Sequence, residues 1–422
     1  MFVFEPEREK ARRAMGMDVA VDKSFNNFHY SPDGTAYLDF VAQCGAVPLG
    51  HNPPELIEFI GDYLRGGFCN FSVPLRSEEP AKLARLLCEH IPGNLERCVY
   101  TNSGAETTEV AIKLARSSTK RRLILSAVNG FHGKTYGALC ATENESYRRP
   151  FYIDNADFAY VPFNDLDALE GALRSAEYAA FFVEPVQGEG GMIPSDAEYL
   201  SGVQRICRAY GTLLVLDEIQ TGLGRTGHFV AAEHFQVEPD IIMLAKALGG
   251  GLMSIGACLT TEAVWTTTFG QLHSSTFAGG ALAAAVARRV VELVLRQDRE
   301  LVRRAAARGH YLAEGLEGIQ QRYPTVFRAA TGMGLMRALH LQPQVGRKGM
   351  LLNYLGSPVI SSFIFNRHQI CTFLALNRKD VLRLEPALII EIEHIDRLLV
   401  ALDDVGEVVS SGNFDKLMQY IS

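Results

Sequence analysis

Between residues 120 and 260 the chain passes repeatedly through short, unbroken apolar runs: Leu123–Leu125, Ala180–Val183, Leu213–Leu216, Ile241–Ala245 and Ile255–Leu259. Helical patterns lie between them. Strands that are apolar on both faces and separated by helices predict a mainly parallel sheet covered by helices on each side. An α/β sheet of this kind places its ligand site beyond the carboxyl ends of its strands. Several runs end there in polar or glycine-rich clusters: Asn129-Gly130-Phe131-His132, Glu184-Pro185, Asp217-Glu218 and Lys246. Any one of these is an ordinary loop. Ending successive strands, they can share one crevice.

With 422 residues the chain is long enough for more than one core. We expect an N-terminal arm with part of a small domain at 1–45, a large domain at 46–295 and a smaller α+β domain at 296–422. Asn26–Phe40 reads as a hairpin about the Pro32-Asp33-Gly34 turn, and a long charged helix is expected after residue 295. Charged residues make up 21% of the chain and the net charge is −7, with both signs interspersed. That pattern argues against a nucleic-acid or membrane-surface partner. The N-terminus lacks a signal-peptide core, and no run approaches the ~20 apolar residues of a membrane span. The eight cysteines (44, 69, 88, 98, 140, 207, 258 and 371) include no CxxC pair, which fits reduced thiols in a cytoplasmic protein.

Lys246 closes an apolar run and is followed by Gly249-Gly250-Gly251, while Asp217 closes the run before it. A lysine able to act as a neutral nucleophile, facing a buried carboxylate, is what an enzyme needs to hold pyridoxal phosphate. The lysine bonds the aldehyde and the carboxylate keeps the pyridine nitrogen protonated. Thr101-Asn102-Ser103-Gly104-Ala105-Glu106 precedes a helical stretch over Thr107–Arg116, and Ser103 with Glu106 has capping-box spacing. That helix N-terminus could favour a phosphate, or could be an ordinary cap. Gly222-Leu-Gly-Arg-Thr-Gly227 matches GxGxxG. However, Asp217 and Glu218 stand just before it and the next strand ends in lysine, which argues against a dinucleotide. The eleven histidines include no HExxH or HxH pattern, and no metal site is expected. His132 and His273 read as loop or pocket residues.

The segments LLVLDEIQTGLGRTG (213–227) and PDIIMLAKALGGG (239–251) resemble the signature of class III pyridoxal-phosphate aminotransferases. So do TNSGAETTEVAIKLAR (101–116), GFHGKTYGAL (130–139), EPVQGEGG (184–191), HSSTF (273–277) and LRLEP (382–386), in order over about residues 30 to 400. The resemblance implies the fold type I architecture and a homodimer whose active sites draw on both subunits. It makes Lys246 the Schiff-base lysine and Asp217 the partner of the ring nitrogen, with Gln220 near the cofactor's 3-oxygen. Ser103, Gly104 and Ala105 would hold the phosphate, Thr276 would reach it from the neighbouring subunit, and Phe131 would stack on the ring. His132 and Glu184 complete the expected cofactor set. Arg383 resembles the arginine that takes a substrate carboxylate, and Glu189 the glutamate that pairs with it when no carboxylate is bound.

Three departures bear on the substrate. Lys134 stands where members acting on ornithine or γ-aminobutyrate have the arginine of FHGR. The FHGK form, with Ser146-Tyr-Arg-Arg-Pro-Phe151, is similar to the putrescine aminotransferase branch. Ala278-Gly279-Gly280-Ala281 replaces the usual Gly-Gly-Asn-Pro, and Ser254 replaces a proline. The expected reaction moves an amino group between a primary, terminal amine or amino acid and an aldehyde or 2-oxo acid. The alternatives are an aminomutase or decarboxylase using the same cofactor, or a silent scaffold on this fold. Retention of Lys246, Asp217, Gln220 and Arg383 together argues against the scaffold.

Overall fold

The computed structural model describes residues 6–71 and 75–421. Seven strands form the central sheet: β1 (Leu95–Thr101), β2 (Leu123–Ala127), β3 (Phe158–Val161), β4 (Tyr178–Val183), β5 (Leu213–Asp217), β6 (Ile241–Leu244) and β7 (Gly256–Thr261). Their order is β1-β7-β6-β5-β4-β2-β3. The pairings β6/β5, β5/β4, β4/β2 and β2/β3 are parallel. Every residue of β6 is buried, as are all but the first of β4 and β5, which is why these strands read as continuous apolar runs.

The strand predicted around Ile255–Leu259 is present as β7, but it runs antiparallel to both of its neighbours. Its link to β6 holds only the 3-10 turn Lys246–Gly249 and a short loop, with no crossover helix to carry the chain back. An apolar run reports burial, not direction. Two edge strands escaped the pattern. β1 carries exposed Glu96 and Arg97, and β3 is short and only partly buried.

Helix α1 (Gly104–Thr119) packs against the sheet through Val110, Ala111, Leu114 and Ala115. The helical segment α2 (Ala281–Arg322) starts well before the charged stretch expected to open it. It is broken at Arg296–Arg299, where Gln297, Asp298 and Arg299 are left-handed, so the first residues of that stretch are not helical. One apolar cluster runs from Leu49 to Val302. A second joins Leu38 and Phe40 to residues from Ala305 to Leu417. The expected hairpin forms between Phe28–Tyr30 and Ala36–Asp39, and the latter strand pairs in parallel with Ile370–Cys371. A further sheet has the order Phe327–Met333, Met336–Leu341, Arg378–Leu384, Phe373–Ala375. Among the described residues no helix is long and apolar enough to cross a membrane, and all eight cysteines are free thiols.

Candidate active site

β5 delivers Asp217 and β6 leads to Lys246. Asp217 is in register with Met243, and the chain reaches Lys246 just beyond that strand. Lys246 has φ 43°, a left-handed conformation costly for a side chain of its size, and it opens the 3-10 turn that leaves the sheet. It lines a cleft of about 350 Å³ together with Asn102, Ser103, Gly104, Met253 and Ser254. The lysine and the start of α1 therefore face one space.

Ser103 is the N-cap of α1, and its Oγ accepts the Glu106 amide at 3.3 Å. The other half of the expected capping box is absent. The Glu106 carboxylate instead accepts the Asn102 amide at 2.6 Å and the Asn102 side chain at 3.0 Å. It still satisfies a donor ahead of the helix, one residue further out. Gly104 and Ala105 supply the first N–H groups of α1, which have no intrahelical acceptor.

Asp217 and His132 form the buried polar centre. His132 Nδ1 lies 2.7 Å from Asp217 Oδ2, and Asp217 Oδ1 accepts the Ile219 amide at 3.1 Å. Burial works against the imidazolium, but the hydrogen bond and charge of Asp217 outweigh it and raise the His132 pKa. His132 Nε2 is buried and has no hydrogen-bond partner among the described residues. Glu184, just past β4, accepts the Phe131 amide at 2.9 Å and the Gly188 amide at 3.2 Å. Burial, reinforced by the charge of Asp217, pushes its carboxyl up to about 7. Phe131 is thereby tied by its backbone to the same centre.

Arg383, on the strand Arg378–Leu384, is withdrawn from solvent. Its Nη1 donates to Glu189 Oε1 at 2.7 Å, and Glu189 Oε2 accepts the Leu376 amide at 2.7 Å. The Cys44 thiol lies 2.8 Å from the second guanidinium nitrogen, Nη2. Gln220 donates to Glu385 at 2.9 Å, and Glu385 lies 4.0 Å from both Arg383 and Arg225. Gly188 lets the Gln220 side chain lie against the backbone here, since a Cβ would come within 1.9 Å of Gln220 Oε1 and displace that side chain. The Lys134 ammonium stands 4.4 Å from the Tyr147 ring centroid and 6.0 Å from that of Phe131. Thr276 is exposed on the loop before α2, and His273 lies 2.8 Å from the Lys113 amine.

Sequence reasoning did not assign Cys44, Glu385, Arg225 or Tyr147. Glu385 lies inside the LRLEP motif, so the signal was there. Cys44 reaches Arg383 only because Ala42, Gln43 and Cys44 form a left-handed turn, for which those residue types give no sign.

A sequence profile described as Aminotransferase class-III matches residues 10–405. The chain is 38% identical to the putrescine aminotransferase of Pectobacterium atrosepticum, across 93% of this chain and 81% of that one. It is 37% identical to the aminotransferase PigE of a Serratia species, across 90% of this chain but half the length of PigE. An ornithine aminotransferase from Toxoplasma gondii, whose structure is described as showing partial occupancy of PLP at the active site, superposes with a TM-score of 0.83. That pair is 26% identical and covers 93% of this chain and 91% of the other. The chain belongs to the class III aminotransferases, fold type I enzymes that move amino groups with pyridoxal phosphate. Its residues fit that cofactor. A lysine and a helix N-terminus share one cleft, and a buried carboxylate ends the strand beside the lysine.

Proposed function

We propose that this enzyme exchanges an amino group between a primary amine, a diamine or terminal amino acid, and an aldehyde or 2-oxo acid such as 2-oxoglutarate or pyruvate. The observation that carries this reading is the buried Arg383–Glu189 pair. Amino transfer handles two partners in turn in one pocket. A guanidinium that can exchange Glu189 for a substrate carboxylate serves a partner with that group, and the closed pair serves one without it. The likeness to a putrescine aminotransferase supports an amine lacking a carboxylate on one side of the exchange.

Pyridoxal phosphate supplies, when bound, the electron sink that weakens the C–H bond beside the amino nitrogen. Lys246 would hold it covalently, and the free Lys246 amine would then carry the proton to and from that carbon. The first N–H groups of α1, with Ser103, Gly104 and Ala105, would take the phosphate, and Thr276 of a second copy would complete it. Asp217, oriented by His132, would hold the ring-nitrogen proton. Phe131 would lie on the ring, Gln220 near its oxygen, and Glu184 would fix the Phe131 backbone. Lys134 would border the donor's distal end. A homodimer in the cytoplasm is the form we propose. Exposed Phe71 and Phe277, packed edge to face at 5.4 Å beside the Thr276 loop, offer an apolar face for a second copy.

Lys246→Ala tests the assignment. The variant should lose the yellow colour that borohydride bleaches and fixes to the chain, and a variant that keeps it removes Lys246 from this role. Donor alone should convert the enzyme once and stop until a keto acid is added. Continuous turnover with one substrate would instead identify an aminomutase, and release of carbon dioxide a decarboxylase.

A further inference from the structure

We propose that His29, Asp39 and His51 form a binding site for a divalent transition-metal ion of the zinc type, separate from the Lys246 cleft. The three come from different segments: His29 from the strand Phe28–Tyr30, Asp39 from the end of Ala36–Asp39, and His51 from the loop that follows. Strand pairing brings them together, so no local motif announces the site. His51 Nε2 lies 2.9 Å and His29 Nε2 3.5 Å from the same oxygen, Asp39 Oδ2, and one ligand atom from each residue lies within 4.8 Å of the others. In a tetrahedral zinc site with bonds near 2.1 Å, neighbouring ligand atoms are about 3.4 Å apart. The His29–Asp39 edge already has that length, and the His51–Asp39 edge needs to open by about half an ångström.

The surroundings orient these atoms as a metal site requires. Ser24 Oγ lies 2.7 Å from His29 Nδ1 and can accept a hydrogen bond from it, the tautomer in which Nε2 is the ligand atom. Asp39 Oδ1 accepts the amides of Val41 and Ala42 at 2.8 and 3.0 Å, which directs Oδ2 at the two rings. His51 is docked on the hairpin by two backbone hydrogen bonds with Asn26, at 2.7 and 3.0 Å. Asp39 is buried, whereas the two histidine side chains are 24% and 16% exposed, enough for an ion to enter from solvent and keep a water as fourth ligand. Two imidazoles and one carboxylate favour zinc or a neighbouring transition metal over calcium or magnesium. The two amides held by Asp39 begin the left-handed turn that brings Cys44 to Arg383. Metal at Asp39 would therefore fix the wall of the substrate pocket.

The test uses the cofactor-loaded enzyme. Stripped protein is dialysed against low-micromolar zinc, desalted and analysed by elemental mass spectrometry, in parallel with His29→Ala and Ser24→Ala. Wild type should retain about one zinc per chain that His29→Ala lacks, and Ser24→Ala should bind about 10–100-fold more weakly. Zinc should raise the melting temperature of wild type but not of His29→Ala. Cobalt in place of zinc should give tetrahedral visible bands only when His29 is present. Equal zinc in wild type and His29→Ala, or none in either, overturns the proposal and leaves Asp39 as a carboxylate that pins His51 by a hydrogen bond.

Discussion

Arg383 Nη1 donates to Glu189 Oε1 at 2.7 Å, with the two side chains 1% and 6% exposed. A cation withdrawn this far from water is held by its partners, and Glu189, Cys44 and the ring of Phe373 each meet one part of it. A substrate carboxylate that replaces Glu189 must match a bond already made in a dry setting. The pair therefore contributes to local stability and, on the function proposed above, would set the standard against which an acceptor is selected.

Breaking this pair from one side should cost more than removing both partners. Arg383→Leu strands Glu189 as a buried charge and is expected to destabilise the protein by about 3–5 kcal/mol. Adding Glu189→Leu should restore most of that loss, because no uncompensated charge remains. Urea unfolding of the two single variants and the double variant measures the coupling. Additive losses would show that the two residues do not act as a pair.

Lys134 offers a gain-of-function test. Its ammonium rests on the Tyr147 and Phe131 rings and makes a point contact, where arginine would present a planar fork. Lys134→Arg should raise kcat/KM for carboxylate-bearing donors such as ornithine by about tenfold, the worth of one improved charge-assisted contact. The rate with a simple diamine should stay within about twofold, since roughly 0.4 kcal/mol is at stake there. A parallel change with both donor types would place Lys134 outside the substrate's reach.

The core of the sheet was legible because β4, β5 and β6 are buried on both faces, so apart from Tyr178 at the start of β4 and Asp217 at the end of β5 their sequences stay apolar. The edges were not: Glu96 and Arg97 give β1 the look of a surface loop. Strand direction was also hidden, since Ile255–Leu259 reads much like the strands that pair in parallel elsewhere in the sheet. The break at Gln297–Arg299 and the turn at Ala42–Cys44 place non-glycine residues at positive φ, which those residue types do not announce. At the second of these, Asp39 Oδ1 accepts the amides of Val41 and Ala42, two and three residues further on, a local bond that fixes the start of the turn. At the site, motif residues could be named singly. The links from Gln220 to Glu385 and from Cys44 to Arg383 join segments far apart in the chain, and only the fold shows them.

His132→Phe tests the buried centre. The ring volume is roughly kept, but Asp217 loses its imidazole partner and retains the Ile219 amide. Breaking a buried ion pair from one side costs about 3–5 kcal/mol, so a clear fall in unfolding midpoint is expected. The variant should also lose cofactor colour faster than wild type on dialysis. Unchanged stability and retention would mean that His132 neither supports nor orients Asp217.

Glu184 and His132 each add a pH-dependent contribution to stability whose sign follows from the direction of its shift. His340, lowered by burial to about 4, acts the other way below pH 6.5. Burial raises the Glu184 carboxyl from 4.5 to about 7 in the folded protein. Between those values the folded Glu184 keeps a proton that the unfolded chain has released, so its contribution to stability falls as pH rises through this window. Glu218 acts in the same sense, its carboxyl also pushed up to about 7 by burial. His132, raised above 6.5 because Asp217 outweighs its burial, adds to the fall above that pH. Asp39 works oppositely: burial opposes its charge, but His29, His51 and the Val41 amide hold its carboxyl below 3.8, so its contribution is lost only as the solution becomes more acid than that. Each full proton is worth about 1.4 kcal/mol per pH unit. Glu184→Gln cannot titrate, so its unfolding free energy should decline less steeply than wild type between pH 4.5 and 7, by up to one proton's slope. Urea denaturation across that range checks the difference, and parallel curves for the two proteins would show that Glu184 is already ionised in the folded state.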